Sequence, residues 1–169
     1  DLIAQTLYQR GELEIVVVNT GSEQNEREIV EEYKKRYDHI THVYIPERER
    51  MYAAWNRGIK AASGKYVTSA NTDDRHRIDA LAIMADTLDK RSDVALVYAD
   101  CDITTQENGK FGEAPVKGRY TWLEFDPKSL FMACYMGPQP MWRRDLHDKY
   151  GYFEPEFKSA GDYEFWLRM

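Results

Sequence analysis

Two adjacent carboxylates, Asp73 and Asp74, follow Asn71-Thr72 after the run Lys65 to Ala70, whose β-branched and aromatic residues lie between Gly64 and this polar cluster. Such a run predicts a strand. The pair is therefore expected just past a strand's carboxyl end, where the crevices of open α/β sheets receive their ligands. Neighbouring carboxylates repel unless a cation or hydrogen-bond donors hold them, and a hard divalent metal with oxygen ligands is the natural partner. A plainer reading has Asp74 charging the first turn of a helix from Arg75 to Lys90. Asn19 and Thr20, after the apolar run Glu14 to Val18, form a second polar strand end. Asp162 reads plainly as a capping or first-turn acid of a helix continuing to Met169. The rings of Trp142 and Tyr135 can stack on sugars or bases, although aromatic clusters usually form core.

The elements that must position these groups follow a regular order. Asp1 to Gln9 has a helical rhythm closing at Gly11. The continuous apolar run Ile15 to Val18 predicts a strand covered on both faces, and Ser22 is read as the cap of a helix ending near Tyr37. His42 to Ile45 predicts the next strand, Met51 to Ser63 a helix, and Val94 to Tyr98 a further buried strand. Asn56 and Gly58 lie in mid-helix, where a glycine is tolerated when something must approach closely. Alternation of helix and strand with short links predicts a three-layer α/β sandwich with a mostly parallel sheet. Such folds open with a strand, so the natural domain is expected to have a first strand that is missing here. From Asp102 to Gly118 the chain is polar, with Asn108-Gly109 as a hairpin turn. Met141 to Leu146 is read as leading into a helix.

Composition narrows the function classes. The 169 residues are 43% hydrophobic and 31% charged, which argues for one folded domain and against disorder. A formal net charge of -6 without a basic run argues against nucleic acid. No apolar stretch approaches the ~20 residues of a membrane span, and no signal-type segment is read at the amino end. Cys101 and Cys134 lack metal-type spacing and are read as reduced thiols, which fits a cytoplasmic location. His39 and His42 lack further ligands nearby and are read as ordinary surface residues. No Gly-x-Gly-x-x-Gly follows a strand, which removes support for a dinucleotide oxidoreductase.

Several segments together resemble the family 2 glycosyltransferases, which have the nucleotide-diphospho-sugar transferase fold called GT-A. They are Ile15 through Gly21-Ser22, Ala54-Trp55-Asn56-Arg57-Gly58-Ile59 to Gly64-Lys65-Tyr66, Thr72-Asp73-Asp74, Met141-Trp142-Arg143-Arg144, and Gly161-Asp162-Tyr163-Glu164-Phe165-Trp166-Leu167-Arg168. The match runs over nearly the whole chain. It implies a catalytic domain incomplete at both ends, with residues 1–100 as the nucleotide-sugar half and 101–169 as the acceptor half. It further implies an inverting transferase using a nucleotide diphosphate sugar, usually UDP-linked, with Mn2+ or Mg2+, in polysaccharide biosynthesis at the cell envelope. The acceptor would be a carbohydrate or lipid-linked sugar.

By this resemblance Asp73 and Asp74 hold metal and donor, Asn71 and Asn19 contact the donor, and Asp162 is the general base. Trp142, Arg143 and Tyr135 fall on the acceptor side. This chain departs from the family at three points: Asn19-Thr20 replaces paired aspartates, Asn71 replaces the first acid of the aspartate motif, and Gly161 replaces an acidic residue before the base. Two other readings stay open. A sugar-1-phosphate nucleotidyltransferase shares the layered architecture and metal carboxylates, and a non-catalytic nucleotide- or sugar-binding module would fit a decayed donor site. Arg75, His76 and Arg77 are either diphosphate contacts or solvated helix residues.

Overall fold

A computed structural model describes residues 1–169. The residues sort into two compact units interleaved along the chain: Asp1–Arg10 with Tyr66–Arg143, and Gly11–Lys65 with Arg144–Met169.

The second of these is built on two parallel strands, β1 (Ile15–Thr20) and β2 (Ile40–Ile45), paired from Ile15↔Ile40 to Thr20↔Ile45. β1 extends beyond the apolar run to include Asn19 and Thr20, because the ladder to Tyr44 and Ile45 continues through them. Between them runs helix α2 (Glu26–Arg36), acidic in its first turn and basic in its last, as the helix dipole favours. Ser22 is not its cap. Asn25 occupies that position, and the Ser22 backbone N–H instead turns back to Asn19 Oδ1 at 3.4 Å.

Helix α3 (Met51–Ala61) follows, burying Tyr52, Asn56 and Ile59 at the i, i+4, i+7 spacing of one face. Gly58 sits against β1, where an added Cβ would stand 3.3 Å from Val18 Cγ2. Asn56 is structural: its amide donates to Phe153 O at 2.7 Å and its carbonyl accepts from Phe153 N at 3.0 Å. The short helix α6 (Leu146–Tyr150) and α7 (Gly161–Arg168) complete this unit. Between α3 and these helices lies an aromatic cluster in which Phe153 and Phe165 are about wholly buried and their rings stand 5.0 Å apart.

The other unit opens with a 3-10 turn (Leu2–Ala4) and a short helix α1 (Thr6–Gln9). It contains β3 (Tyr66–Thr68), α4 (Ala80–Lys90), β4 (Leu96–Val97), a hairpin of β5 (Cys101–Thr104) and β6 (Val116–Tyr120), α5 (Pro127–Met132) and β7 (Met141–Arg143). β7 pairs antiparallel with both β3 and β4, so those two run parallel to each other with β7 between them. Met141 to Arg143 therefore forms a central strand before any helix begins, and Trp142 lies opposite both Val67 and Leu96. α4 starts at Ala80, not Arg75. It buries Leu81, Ala82, Met84 and Leu88, and the wholly buried Gln5 finishes its first turn, accepting from Leu81 N at 3.4 Å while donating to Arg77 O at 3.0 Å. No helix is long and apolar enough to cross a membrane.

Candidate active site

The paired aspartates lie on the link from β3 to α4, which is irregular because its polar side chains bind the link's own backbone and one another. β3 ends at Thr68, whose hydroxyl donates to Pro140 O at 2.9 Å. Asp73 is exposed and Asp74 half-buried. Asp74 lies well before α4, so it is not a first-turn acid, and the residue in the cap position is Asp79. Asp74 Oδ2 accepts from Asn71 Nδ2 at 2.8 Å and from Gln139 Nε2 at 3.0 Å. Two amide donors on one oxygen hold the carboxylate and leave the acceptor capacity of Oδ1 for a further partner. Arg75 is committed to the link itself, donating to Thr72 O at 3.2 Å and Asp74 O at 2.7 Å. Arg77 pairs with Asp79.

His76 is held by Asp1. Its backbone N–H reaches both carboxylate oxygens at 3.3 Å, and ring Nδ1 lies 2.7 Å from Oδ2. Facing a carboxylate, Nδ1 is the protonated nitrogen. Burial lowers the His76 pKa below the ordinary imidazole value, which favours the neutral ring. The Gln139 side chain lies close to the ring and partly offsets the effect of burial, and both His76 Nε2 and Gln139 Oε1 are buried.

Asp73, Asp74, His76 and Gln139 line a cavity of about 910 Å3, together with Asp100 and Asp102. Asp102 is neutralised by Arg119, whose two nitrogens lie 2.6 and 3.1 Å from it and hold its carboxyl below the usual carboxylate range. Asp100 accepts from Trp122 N at 3.0 Å.

No three His, Cys, Asp or Glu side chains are grouped to hold a metal. The donor set nonetheless suits a hard divalent cation. Mg2+ is commonly held by one or two carboxylates, with substrate phosphates and water completing the shell. Asp73 and Asp74 Oδ1 are such carboxylates.

The second unit carries the other two candidates. Asn19, 5% exposed, sits at the end of β1; its Nδ2 is buried without a partner. The turn after it requires Gly21: at φ +60° an added Cβ would stand 2.6 Å from Arg48 N. Asp162 is the second residue of α7 and accepts the Tyr52 hydroxyl on Oδ1 at 3.0 Å.

The three acceptor-side candidates turn out to be structural. Trp142 and Tyr135 are 2% and 6% exposed, and the Tyr135 hydroxyl is bound to Asp126 N and O. Neither ring has a face open to a sugar, because the central position of β7 draws Trp142 into the core. Arg143 spends its guanidinium on the carbonyls of Val94, Leu88 and Arg91. His42 is likewise structural, with Nδ1 2.8 Å from Glu31 Oε1. Gln139, Asp100 and Tyr52 were not found from sequence. Nothing in the local pattern marks Gln139, which reaches Asp74 across 65 positions, or Tyr52, which reaches Asp162 across 110.

The structure thus places a carboxylate pair past the end of a strand in an α/β unit, on the wall of a cavity. Comparison with solved structures gives the fold. Staphylococcus aureus TarS residues 1–349 in complex with UDP-GlcNAc superposes with a TM-score of 0.73 at 20% identity, covering 99% of this chain and 46% of that one. The UDP complex of the same protein gives 0.72 at 20%, covering 97% and 47%. The fold is thus the mixed α/β GT-A type. The chain belongs to glycosyl transferase family 2, whose family model matches residues 1–151.

Among relatives, the uncharacterized glycosyltransferase YwdF of Bacillus subtilis (strain 168) is 28% identical over 160 residues, 92% of this chain and 56% of its own length. The uncharacterized glycosyltransferase YibD of Escherichia coli (strain K12) is 36% identical over 91 residues, 52% of this chain and 26% of its own length. The chain thus spans about half or less of the curated relatives it matches.

Proposed function

We propose that this chain carries the donor-binding and base residues of an inverting glycosyltransferase that moves a sugar from a UDP-linked donor to an acceptor hydroxyl. The observation that carries the reading is the clamped pair: Asp74 fixed through Oδ2 by Asn71 and Gln139, with Asp73 beside it on the wall of the cavity. The UDP and UDP-GlcNAc complexes of TarS support a UDP-linked donor. Asp73 and Asp74 would hold Mn2+ or Mg2+, and that ion, when bound, supplies positive charge that neutralises the diphosphate.

Asn19, near the end of β1, is assigned to the nucleobase end of the donor by its position. Asn71 acts on the donor through Asp74. Asp162 takes the proton of the acceptor hydroxyl as its oxygen bonds to the anomeric carbon, on the face opposite the diphosphate. The bond from that carbon to the diphosphate oxygen breaks, and its electron pair leaves with UDP. Residues 1–100 supply the donor contacts and 101–169 the base. The exposed Phe125, Phe131 and Met132, and not the buried rings, are the apolar surface of the acceptor half. Nucleotide sugars are made in the cytoplasm, and the reaction is placed there.

Thermal unfolding with a nucleotide panel, with Mn2+ and then with chelator, tests the donor site. Ligand at ~100 times its dissociation constant adds about 2.7 kcal/mol. A Mn2+-dependent shift with UDP that disappears in Asp73→Asn is the expected result. A shift without turnover of any UDP-sugar would leave a binding module in place of an enzyme.

A further inference from the structure

Asp162 is the second residue of α7, whose first residue, Gly161, is buried. A Cβ at Gly161 would stand 2.7, 2.8 and 2.9 Å from Cε2, Cδ2 and Cζ of Tyr52. Real Cβ atoms do not come that close, and a ring 2% exposed has nowhere to retreat. Tyr52 is wedged edge-on to Trp55 (5.6 Å between ring centroids) and tilted on Phe153 (5.8 Å). Its hydroxyl thereby arrives at Asp162 Oδ1. Just before Gly161, Ala160 is held at φ 57°, a left-handed conformation that costs about 1–2 kcal/mol for a residue with a Cβ. Three features that local preference would not select, a helix-opening glycine without space for a side chain, a left-handed alanine and a buried phenol, converge on one carboxylate.

We propose that Tyr52 is the positioning residue of Asp162, and that Gly161 is required because Tyr52 fills the space its side chain would need. This rests on the reading of Asp162 as the base. The phenol holds Oδ1 in the plane set by the packed ring, and Oδ2 is the oxygen that takes the acceptor proton. The proton moves from the acceptor oxygen to Oδ2 while the Tyr52 proton stays on its own oxygen. Burial raises the Tyr52 phenol above its ordinary value; the backbone of Asp162 and Gly161 lowers it and the Asp162 carboxylate raises it, and the phenol stays protonated through the neutral range.

The test uses the full-length protein, with UDP-N-acetylglucosamine as donor and water as acceptor, and follows UDP release. Tyr52→Phe keeps the ring and removes only the donor. We expect kcat to fall about 10- to 100-fold, as for loss of one hydrogen bond to a charged group, with KM unchanged. In an Asp162→Asn background the same substitution should cost nothing further. Equal losses in both backgrounds overturn the proposal.

A second measurement needs no turnover: carbon-13 titration of the Tyr52 ring, assigned by its disappearance in Tyr52→Phe. Asp162→Asn should lower the titration point of the phenol, and an unmoved titration overturns the contact. Unchanged UDP release in Asp162→Asn together with a moved titration overturns the base reading, and the positioning role with it, while leaving the hydrogen bond in place. For the space argument, Gly161→Ala should lower the unfolding midpoint by less in a Tyr52→Ala background than in wild type. Additive losses would overturn the pairing.

Discussion

Asp74 and Asp162 are held in opposite ways. Asp74 sits on an irregular link, fixed through one oxygen by two amides, of which Asn71 is exposed and Gln139 half-buried. Asp162 sits on a helix above an aromatic floor, fixed by a phenol that packing leaves no freedom. Polar clamps at a surface open at small cost, whereas a packed ring moves only with its neighbours. A group that must accept a diphosphate and a cation benefits from the first arrangement. A base that must meet a hydroxyl in one geometry benefits from the second, since preset geometry removes an entropy cost from the reaction.

The largest effect expected from this contrast lies beneath Asp162. Phe165 is fully buried, with its ring 4.6 Å from His147 and 5.0 Å from Phe153. Phe165→Ala should cost about 3–5 kcal/mol in urea unfolding. A loss under about 1 kcal/mol would mean that the floor is loosely packed, and the contrast would fail. Asp73→Asn tests the other side. It should lower sugar transfer about 10²- to 10³-fold, the usual loss for one preorganised electrostatic group. Because Asp73 is exposed, its unfolding free energy should stay within about 0.5 kcal/mol of wild type. Activity lost without stability on the link, and stability lost first at the floor, would confirm that the two carboxylates are supported differently.

What the sequence disclosed follows the same division. β1 and the aspartate link were legible because Ile15 to Val18 and Lys65 to Ala70 are continuous runs with clear ends. The existence of α3 and α4 was legible, but not the face that α3 buries through Tyr52, Asn56 and Ile59. β7 was not, since three residues carry no period, and only pairing with β3 and β4, remote in sequence, makes Met141–Arg143 a strand. The acceptor-side reading of Trp142 rested on its aromatic neighbourhood, which does not show that the central strand buries the ring. The extent of α4 was overestimated because His76 and Arg77 suit a helix, while Asp1 and Gln5 bind this stretch in another conformation. Both positioning contacts, Gln139 to Asp74 and Tyr52 to Asp162, join residues far apart along the chain, and no local rule reports them.

Gln139→Ala sharpens the comparison at a smaller scale. It removes one of the two donors on Asp74 Oδ2, and loss of such an orienting partner typically costs 10- to 100-fold in metal affinity; about 10-fold is expected here because Asn71 remains. Isothermal titration of Mn2+ with UDP present reads this directly, and Asn71→Ala, at an exposed position, should cost less.

The smallest effect is shared by both units, because each buries a histidine. Burial lowers His147 and His76 below the ordinary imidazole value of 6.5, with His147 only 3% exposed. Above that value both folded and unfolded chains carry a neutral ring, and stability is full. As pH falls below it the unfolded chain takes up protons that the folded chain does not. Stability therefore declines toward the folded-state value, by at most about 1.4 kcal/mol per pH unit for each ring. His147→Phe keeps a flat ring against Phe165 and removes one of the two contributions. The slope of unfolding free energy against pH between neutral and mildly acid conditions should then flatten without vanishing, since His76 remains. An unchanged slope would mean that His147 is protonated in the folded state and that the ring stack does not exclude charge.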